Sequence, residues 1–412
     1  MSPESFFLPI LFKMKVFCRI LVISFPAFYV IATLYIAYRL FLVNNLSHAF
    51  KGYNGMDKDS TTAMFTPPRP LSPLNVEIWG KAAISIFLWE HILRGELVEE
   101  QGGFVKIGHL TTDDINFTFR WGPGVIQSTV PTNTEYLVLV LNGRAPEKIA
   151  TARQWIQQLD IYPKLKHTVV VLLGDEKCNN SWIVPFMRSR GGPIDAAFIV
   201  YDSVLVDDKE FFQWPLGVAT YRGFPEFSKG RSVDLTSPRS HLCNFLGTVY
   251  HNSSRQTLVQ LLESPKLQDE CIVRGREKWT PLETEESLNF YIDALSKSDL
   301  TLNPVGLNTE CYRIYEALAL GSIPVVEDVV TPGSCDKMSP SAPLRLLKRY
   351  KAPLILIKDW RELNYVLQNE SLRTLGTKVN RRISGVRWYA GFKKKMKKEF
   401  IRVLLAKFIR ST

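Results

Sequence analysis

Three runs of apolar, largely β-branched residues, EYLVLVLNG (135–143), HTVVVLLGD (167–175) and DAAFIVYDS (195–203), each end in a turn or acidic residue. Unbroken apolar runs, as opposed to alternating ones, mark strands buried on both faces, and such strands need helices on either side of a parallel sheet. PEKIATARQWIQQLD, between the first two runs, reads as one such helix, opened by proline. After a polar, turn-rich stretch at 226–240 the alternation restarts, and LCNFLGTVY, SSRQTLVQLLE, ECIVRGR, ESLNFYIDALSKS, LTLNPVG, NTECYRIYEALAL, SIPVVED, SAPLRLLKRY, APLILIKDW and RELNYVLQ read as strand and helix in turn. Two successive doubly wound α/β domains facing a cleft are therefore expected, over 74–237 and 238–372, with ligands beyond the carboxyl ends of the strands. The chain has 412 residues, 46% of them apolar, enough for two cores.

Ile20 to Tyr38 contains no charged residue over nineteen positions, long enough to cross a ~30 Å hydrocarbon layer. Lys13, Lys15 and Arg19 precede this run, whereas only Arg39 closely follows it. The positive-inside bias then predicts a cytosolic tail (1–19), a transmembrane helix (20–43), a stem (44–73) and a lumenal body. A cleaved signal peptide is the alternative, but its apolar region is typically ~7–15 residues and ends in small residues, unlike Tyr-Arg-Leu-Phe here. Met14 is an alternative start. Lumenal placement gives meaning to the N-x-S/T triplets headed by Asn45, Asn116, Asn179, Asn252 and Asn369. Cys178, Cys243, Cys271, Cys311 and Cys335 show no C-x-x-C spacing, which excludes a zinc ribbon and leaves one or two disulfides of undetermined pairing.

Thirteen Lys and Arg against Glu399 alone fall between Arg373 and Arg410, so a basic helical tail (373–412), expected to cross back over the body, carries +12 and leaves the rest of the chain near neutral within a total of +11. A solvated helix face is the plain reading; attraction to an anionic acceptor or to lipid headgroups is the sharper one. Nucleic acid is not expected for a lumenal chain.

Chemistry concentrates between Ser298 and Asp328. A buried strand ends at Pro304-Val305-Gly306, a helix capped by Asn308 or Thr309 follows, and a second strand begins at Ile323. Backbone amides at such a helix start bind phosphate readily. Cys311, Ile314, Tyr315 and Leu318 share an apolar stripe, with Glu310, Arg313 and Glu316 on another side. Arginine's planar fork suits a diphosphate and a carboxylate suits a ribose diol. The plain alternative is an i,i+3 surface charge ladder.

The run R-x-x-E-A-L-x-x-G-x-I-P-V resembles the nucleotide-sugar-binding domain of GT-B glycosyltransferases, in a form similar to the exostosin type. Together with IWGKAAISIFLWEHI (78–92), LVLNGR (139–144), VVVLLGDEKC (169–178), FFQWPLGVATYRGFP (211–225) and LCNFLGTVYHNSSRQTL (242–258), it is similar to the ribitol-5-phosphate xylosyltransferase family over nearly the whole lumenal part. The N-terminus, stem and basic tail read as freely variable. The resemblance implies a GT-B fold of two Rossmann-type domains, 74–237 on the acceptor side and 238–372 binding the nucleotide sugar, in a Golgi type II enzyme. Its reaction would be inverting transfer of xylose from UDP-xylose to ribitol phosphate on the O-mannosyl glycan of alpha-dystroglycan. Arg313 and Glu316 map onto the donor motif, with Gly306, Asn308, Thr309 and Glu310 around them. Arg255 maps onto a basic residue facing the diphosphate, a solvated helix-start arginine being the alternative. Inversion needs a base on the acceptor hydroxyl. Asp202 and Asp175 or Glu176, at strand ends, and Glu90 and His91 are the candidates, though strand-end carboxylates are often helix caps and His91 fits a core histidine. The only Asp-x-Asp, Asp57-Lys58-Asp59, lies in the stem, and the six histidines show no ligand spacing, so no metal cofactor is expected and a basic cleft is expected to neutralise the leaving UDP. Two other readings stand beside this one: an inverting transferase using UDP-glucuronate or UDP-N-acetylglucosamine, and a catalytically silent scaffold for partner transferases of the same route.

Overall fold

The computed structural model describes residues 72–99, 103–112, 114–227, 233–335 and 343–409. The apolar run 20–38, the expected stem and the Asn45 triplet lie outside them. The first buried runs belong to an eight-stranded sheet of β1 (Leu74–Gly80), β2 (Val98–Glu99), β3 (Lys106–Thr111), β4 (Ile115–Trp121), β5 (Tyr136–Asn142), β6 (His167–Leu173), β7 (Ile194–Val200) and β8 (Phe211–Trp214), in the order β2-β3-β4-β1-β5-β6-β7-β8. Every neighbouring pair from β4 to β8 is parallel. The β2–β3–β4 edge is antiparallel, a departure from the all-parallel expectation. Its cause is local: the turn between β3 and β4, held by Ile115 N donating to Thr112 Oγ1 at 3.0 Å, is too short for a crossover helix.

The second sheet comprises β9 (His241–Thr248), β10 (Cys271–Arg276), β11 (Ser298–Asn303), β12 (Ile323–Glu327) and β13 (Ile355–Ile357), all parallel, in the order β10-β9-β11-β12-β13. Nine helices are described: α1 (Ile84–Ile86, continuing as a π-helical stretch Phe87–Leu93), α2 (Pro146–Gln157), α3 (Ser254–Leu262), α4 (Pro265–Gln268), α5 (Glu285–Ser296), α6 (Tyr312–Ala319), α7 (Arg345–Arg349), α8 (Leu363–Ser371) and α9 (Leu375–Phe408). Start signals act as the sequence indicates. Pro146 opens α2, Ser253 Oγ accepts from Gln256 N at α3, and Thr284 and Thr374 accept from Ser287 N and Thr377 N.

Alternate residues of the first sheet feed separate cores. Val138, Val140, Val169 and Val171 point to one face, covered by α1 and α9; Leu137, Leu139, Val170 and Leu172 point to the other, with Trp155 and Ile156 of α2. The first of these cores also takes Ile314 and Leu318 of α6 and Val326 of β12, so both sheets share it.

The basic tail crosses back over the first sheet. The helix α9 packs from α6 and β12 across to β6 and β7. Tyr389, Phe392, Met396, Phe400, Val403, Leu404 and Phe408 form a buried stripe at helical spacing. Phe400 sits among Phe117, Phe198 and Trp214, and Phe408 against Tyr136 and His167. Much of its charge is already answered: Arg382 and Lys378 bond Asp299 at 2.6 and 2.7 Å, Lys393 bonds Glu226 at 2.7 Å, and Arg381 bonds Glu370. The plain reading of a solvated face thus holds only for the remaining positions.

Two disulfides resolve the cysteine pairing. Cys243–Cys271 joins register partners on β9 and β10. Cys178–Cys335 joins the loop after β6 in the first sheet to the segment after β12 in the second, across 157 residues of sequence. Cys311 is free.

Candidate active site

A cavity of about 640 Å³ opens where the carboxyl ends of the two sheets meet. Arg144, Glu176 and Tyr201 reach it from the ends of β5, β6 and β7; Leu246–Thr248, Arg274–Arg276 and Gly306–Leu307 reach it from β9, β10 and β11; and Tyr312, Arg313 and Glu316 reach it from α6.

Arg313 is 8% exposed. Its Nε and Nη2 donate to Leu246 O at 3.2 and 2.7 Å, its plane lies over Phe245 with 5.1 Å to the ring centroid, and its buried Nη1 has no partner. Arg255, in the first turn of α3, donates through Nη1 to Thr248 O at 2.9 Å and keeps a buried, unpartnered Nε. Two glycines make room for these cations. A Cβ at Gly247 would stand 2.6 Å from Arg313 Nη2, and one at Gly306 would stand 2.5 Å from Arg255 Nη2. Burial first, and then the Arg313 charge, hold the Arg255 guanidinium below its ordinary value. Two desolvated like charges with free donors are a site for an anion able to answer both.

Glu316 and Glu310 are not a surface ladder. Glu316 Oε1 accepts from Ala219 N at 2.9 Å and Oε2 from Tyr291 O–H at 2.5 Å; Glu310 Oε1 accepts from Leu216 N at 2.9 Å and Tyr315 O–H at 2.5 Å. Both therefore tie the 216–219 segment, which follows the first sheet, to α6. Burial raises both carboxyls, Glu310 to about 7. The helix itself starts later than the sequence suggests. Cys311, in extended conformation, precedes it without a side-chain cap. Asn308 and Thr309 serve the loop instead: Asn308 Nδ2 donates to Glu176 O at 2.8 Å, Asn308 Oδ1 accepts from Glu310 N at 2.9 Å, and Thr309 Oγ1 donates to Val329 O at 2.6 Å. Thr309 lines a small adjoining hollow and not the main cavity.

Of the residues considered as base, only Glu176 lines the cavity. Asp202 faces the small hollow, where Gln213 Nε2 donates to it at 2.6 Å and burial pushes its carboxyl up. Asp175 turns back on its own loop, accepting from Lys177 N at 3.0 Å. Glu90 lies on α1 away from the cavity, and His91, 2% exposed, pairs through Nδ1 with Glu226 at 2.9 Å as a core histidine. The structure thus sets Asp202, Asp175 and Glu90 outside the main cavity: for Asp202 and Asp175 the loop geometry after the strand, invisible in sequence, decides which carboxylate turns inward, and Glu90 is carried on a helix. Among the remaining triplets, Asn179 and Asn252 are exposed, whereas Asn116 and Asn369 are half-buried.

Sequence reasoning missed Arg144, whose Nη2 bonds Tyr201 O–H, whose guanidinium lies 3.7 Å from Glu176, and whose Nε is buried without a partner. It also missed Arg222, Arg274 and Arg276, and the tyrosines Tyr201 and Tyr312. The available signal was position, since Arg144 directly follows a buried strand.

An arginine-lined cavity where the carboxyl ends of the parallel strands of two sheets meet defines an α/β enzyme site suited to an anionic ligand. Residues 76–215 match the family model described as the RXYLT1 N-terminal domain, and residues 221–409 the RXYLT1 C-terminal domain. The chain belongs to this family. Among curated relatives, the ribitol-5-phosphate xylosyltransferase 1 of Danio rerio is 47% identical over 341 residues, covering 82% of this chain and 78% of the relative. The Homo sapiens protein of the same name is 48% identical over 342 residues, covering 82% and 77%.

Proposed function

We propose that this chain is an inverting, GT-B-type xylosyltransferase that moves xylose from UDP-xylose to ribitol phosphate on the O-mannosyl glycan of alpha-dystroglycan. The observation that carries the reading is the Arg313–Arg255 pair, which lines the cavity at the carboxyl ends of β9 and β11 and in which each guanidinium keeps a buried N–H without a partner, in a member of a family whose curated relatives bear the name ribitol-5-phosphate xylosyltransferase. In this reading the pair grips the donor diphosphate and takes the charge that builds on UDP as it leaves, so arginine serves where other transferases use a divalent ion. Glu316, fixed by Ala219 N and Tyr291 O–H, positions α6 and presents the site to the ribose.

The step is one in-line displacement. The acceptor hydroxyl oxygen forms a bond to the xylose anomeric carbon as the bond from that carbon to the phosphate oxygen breaks; the electron pair leaves with UDP and the hydroxyl proton passes to a base. Glu176 is our candidate base, because it is the cavity carboxylate that reaches in from the first sheet, with Arg144 at 3.7 Å to orient it. The run 20–38 anchors the protein as a type II membrane protein of the Golgi, its catalytic body lumenal, an environment that would also keep the Cys178–Cys335 and Cys243–Cys271 bonds oxidised.

The test is UDP release by purified protein with a panel of UDP-sugars and a ribitol-phosphate-bearing acceptor glycan. Release with UDP-xylose alone supports the reading, while release with another sugar reassigns the donor. No release from folded protein supports the scaffold reading.

A further inference from the structure

We infer that the cavity holds a second anion site, one strand further out than the arginine pair, which takes the phosphate of the acceptor and stacks its polyol on aromatic rings. The inference rests on the proposed transferase function. Its observations are different ones. In the second sheet β10 is the edge strand, and Arg274 and Arg276 at its end lie beside Arg222, which follows the first sheet. Arg222 Nη1 and Arg276 Nη1 both donate to Glu283 Oε1, at 2.9 and 2.8 Å. One carboxylate thus fixes two guanidiniums and neutralises one charge, leaving an excess of two. Arg222 keeps a buried, unpartnered Nε, and the guanidinium of Arg274 lies over the Phe290 ring at 4.9 Å.

Two rings beside these cations are wet. Trp279 is 53% exposed, with the Arg222 guanidinium 5.4 Å from its ring centroid, and Phe290 is 40% exposed. Leaving such rings in water forgoes their burial, and aromatic faces next to fixed cations match a ligand with both C–H faces and negative charge. Xylose carries no charge, and the donor's diphosphate is answered by Arg313 and Arg255. A phosphodiester-linked polyol has both features, and arginine forks grip phosphate oxygens in two places. The edge of the sheet is also where a chain-like acceptor can enter without crossing the donor.

The experiment compares the full chain with Arg274→Ala, Arg274→Lys and Trp279→Ala. KM is measured separately for UDP-xylose and for two acceptors, one ending in ribitol phosphate and one with the phosphate removed. The expected result for Arg274→Ala and Trp279→Ala is a rise of about tenfold or more in KM for the phosphorylated acceptor, as for loss of one good contact. KM for UDP-xylose stays within about twofold, the preference for the phosphorylated acceptor shrinks in Arg274→Ala, and Arg274→Lys partly restores it. Unchanged acceptor KM overturns the inference, and a rise in donor KM instead assigns these residues to the nucleotide. Calorimetry with ribitol 5-phosphate alone separates the two claims: binding lost in Arg274→Ala supports this site even where UDP-xylose is not turned over, and equal binding by the variant and the unaltered protein refutes it.

Discussion

Gly247→Ala isolates the arginine clamp from the rest of the fold. The residue has no positive φ, so alanine meets no backbone strain, and the only atom inside 3 Å of the added Cβ is Arg313 Nη2, at 2.6 Å. The obstacle is the tip of a side chain, which can move. Moving it breaks the two donations to Leu246 O and slides the guanidinium off Phe245. A hydrogen bond to a charged group is worth about 1.5–3 kcal/mol. If Arg313 grips the donor in the transition state, its displacement should lower kcat/KM for UDP-xylose by roughly 10- to 150-fold. The melting temperature should fall by only several degrees, since one side-chain tip is displaced and the apolar core stays in place. The assay is initial-rate kinetics at varied UDP-xylose beside thermal unfolding. Adding Gly247→Ala to Arg313→Ala should cost little more, because both remove one contact. Wild-type kinetics in Gly247→Ala, with the protein folded, would falsify the assignment of Arg313 to the donor.

Other consequences follow from the same geometry. Glu176→Gln should abolish transfer while Asp202→Asn stays within a few-fold of wild type, read as kcat at saturating donor and acceptor; the reverse pattern returns the base to Asp202. Because burial raises Glu310 to about 7, the native state holds a proton that the unfolded chain releases above its ordinary carboxyl range. Its contribution is thus present below about pH 4.5 and lost as pH rises through about 7. Denaturation midpoints taken across pH 5–8 should fall with rising pH more steeply in the unaltered protein than in Glu310→Gln, and identical slopes would argue against a raised carboxyl. Phe400→Ala should destabilise by about 3–5 kcal/mol, a core cost from a helix that reads as a tail, and denaturant titration would show it. Losing Cys178–Cys335, which closes a 157-residue loop, should lower stability by up to about 5 kcal/mol on the chain-entropy account, checked with Cys178→Ser/Cys335→Ser.

What was legible in the sequence was periodic or local. The buried runs at 135–143, 167–175 and 195–203 announce a parallel sheet because no other element buries both faces of so short a segment, and the strand-helix-strand block around Arg313 carries its own punctuation in Pro304, Gly306 and Gly321. The antiparallel edge was not legible, since β2 is two residues long and its turn leaves no distinctive motif. Single arginines such as Arg144, Arg222 and Arg274 become a site only when strands distant in sequence are laid side by side, and no local pattern encodes that. The packing of the tail was only partly legible, for a different reason. Its thirteen basic residues dominate the composition, while the apolar stripe from Tyr389 to Phe408 recurs between them at a helical interval. Likewise Asp202 and Glu176 both follow buried strands, and only the loop conformation beyond each strand turns Glu176 into the cavity.

The central claim is that Arg313 and Arg255 hold the diphosphate of a UDP-sugar. Calorimetric binding of UDP to the unaltered protein, Arg313→Ala and Arg255→Ala, each verified as folded by circular dichroism, tests it most directly. The account predicts binding by the unaltered protein, weakened about tenfold or more in either variant. Equal affinity in all three proteins contradicts it.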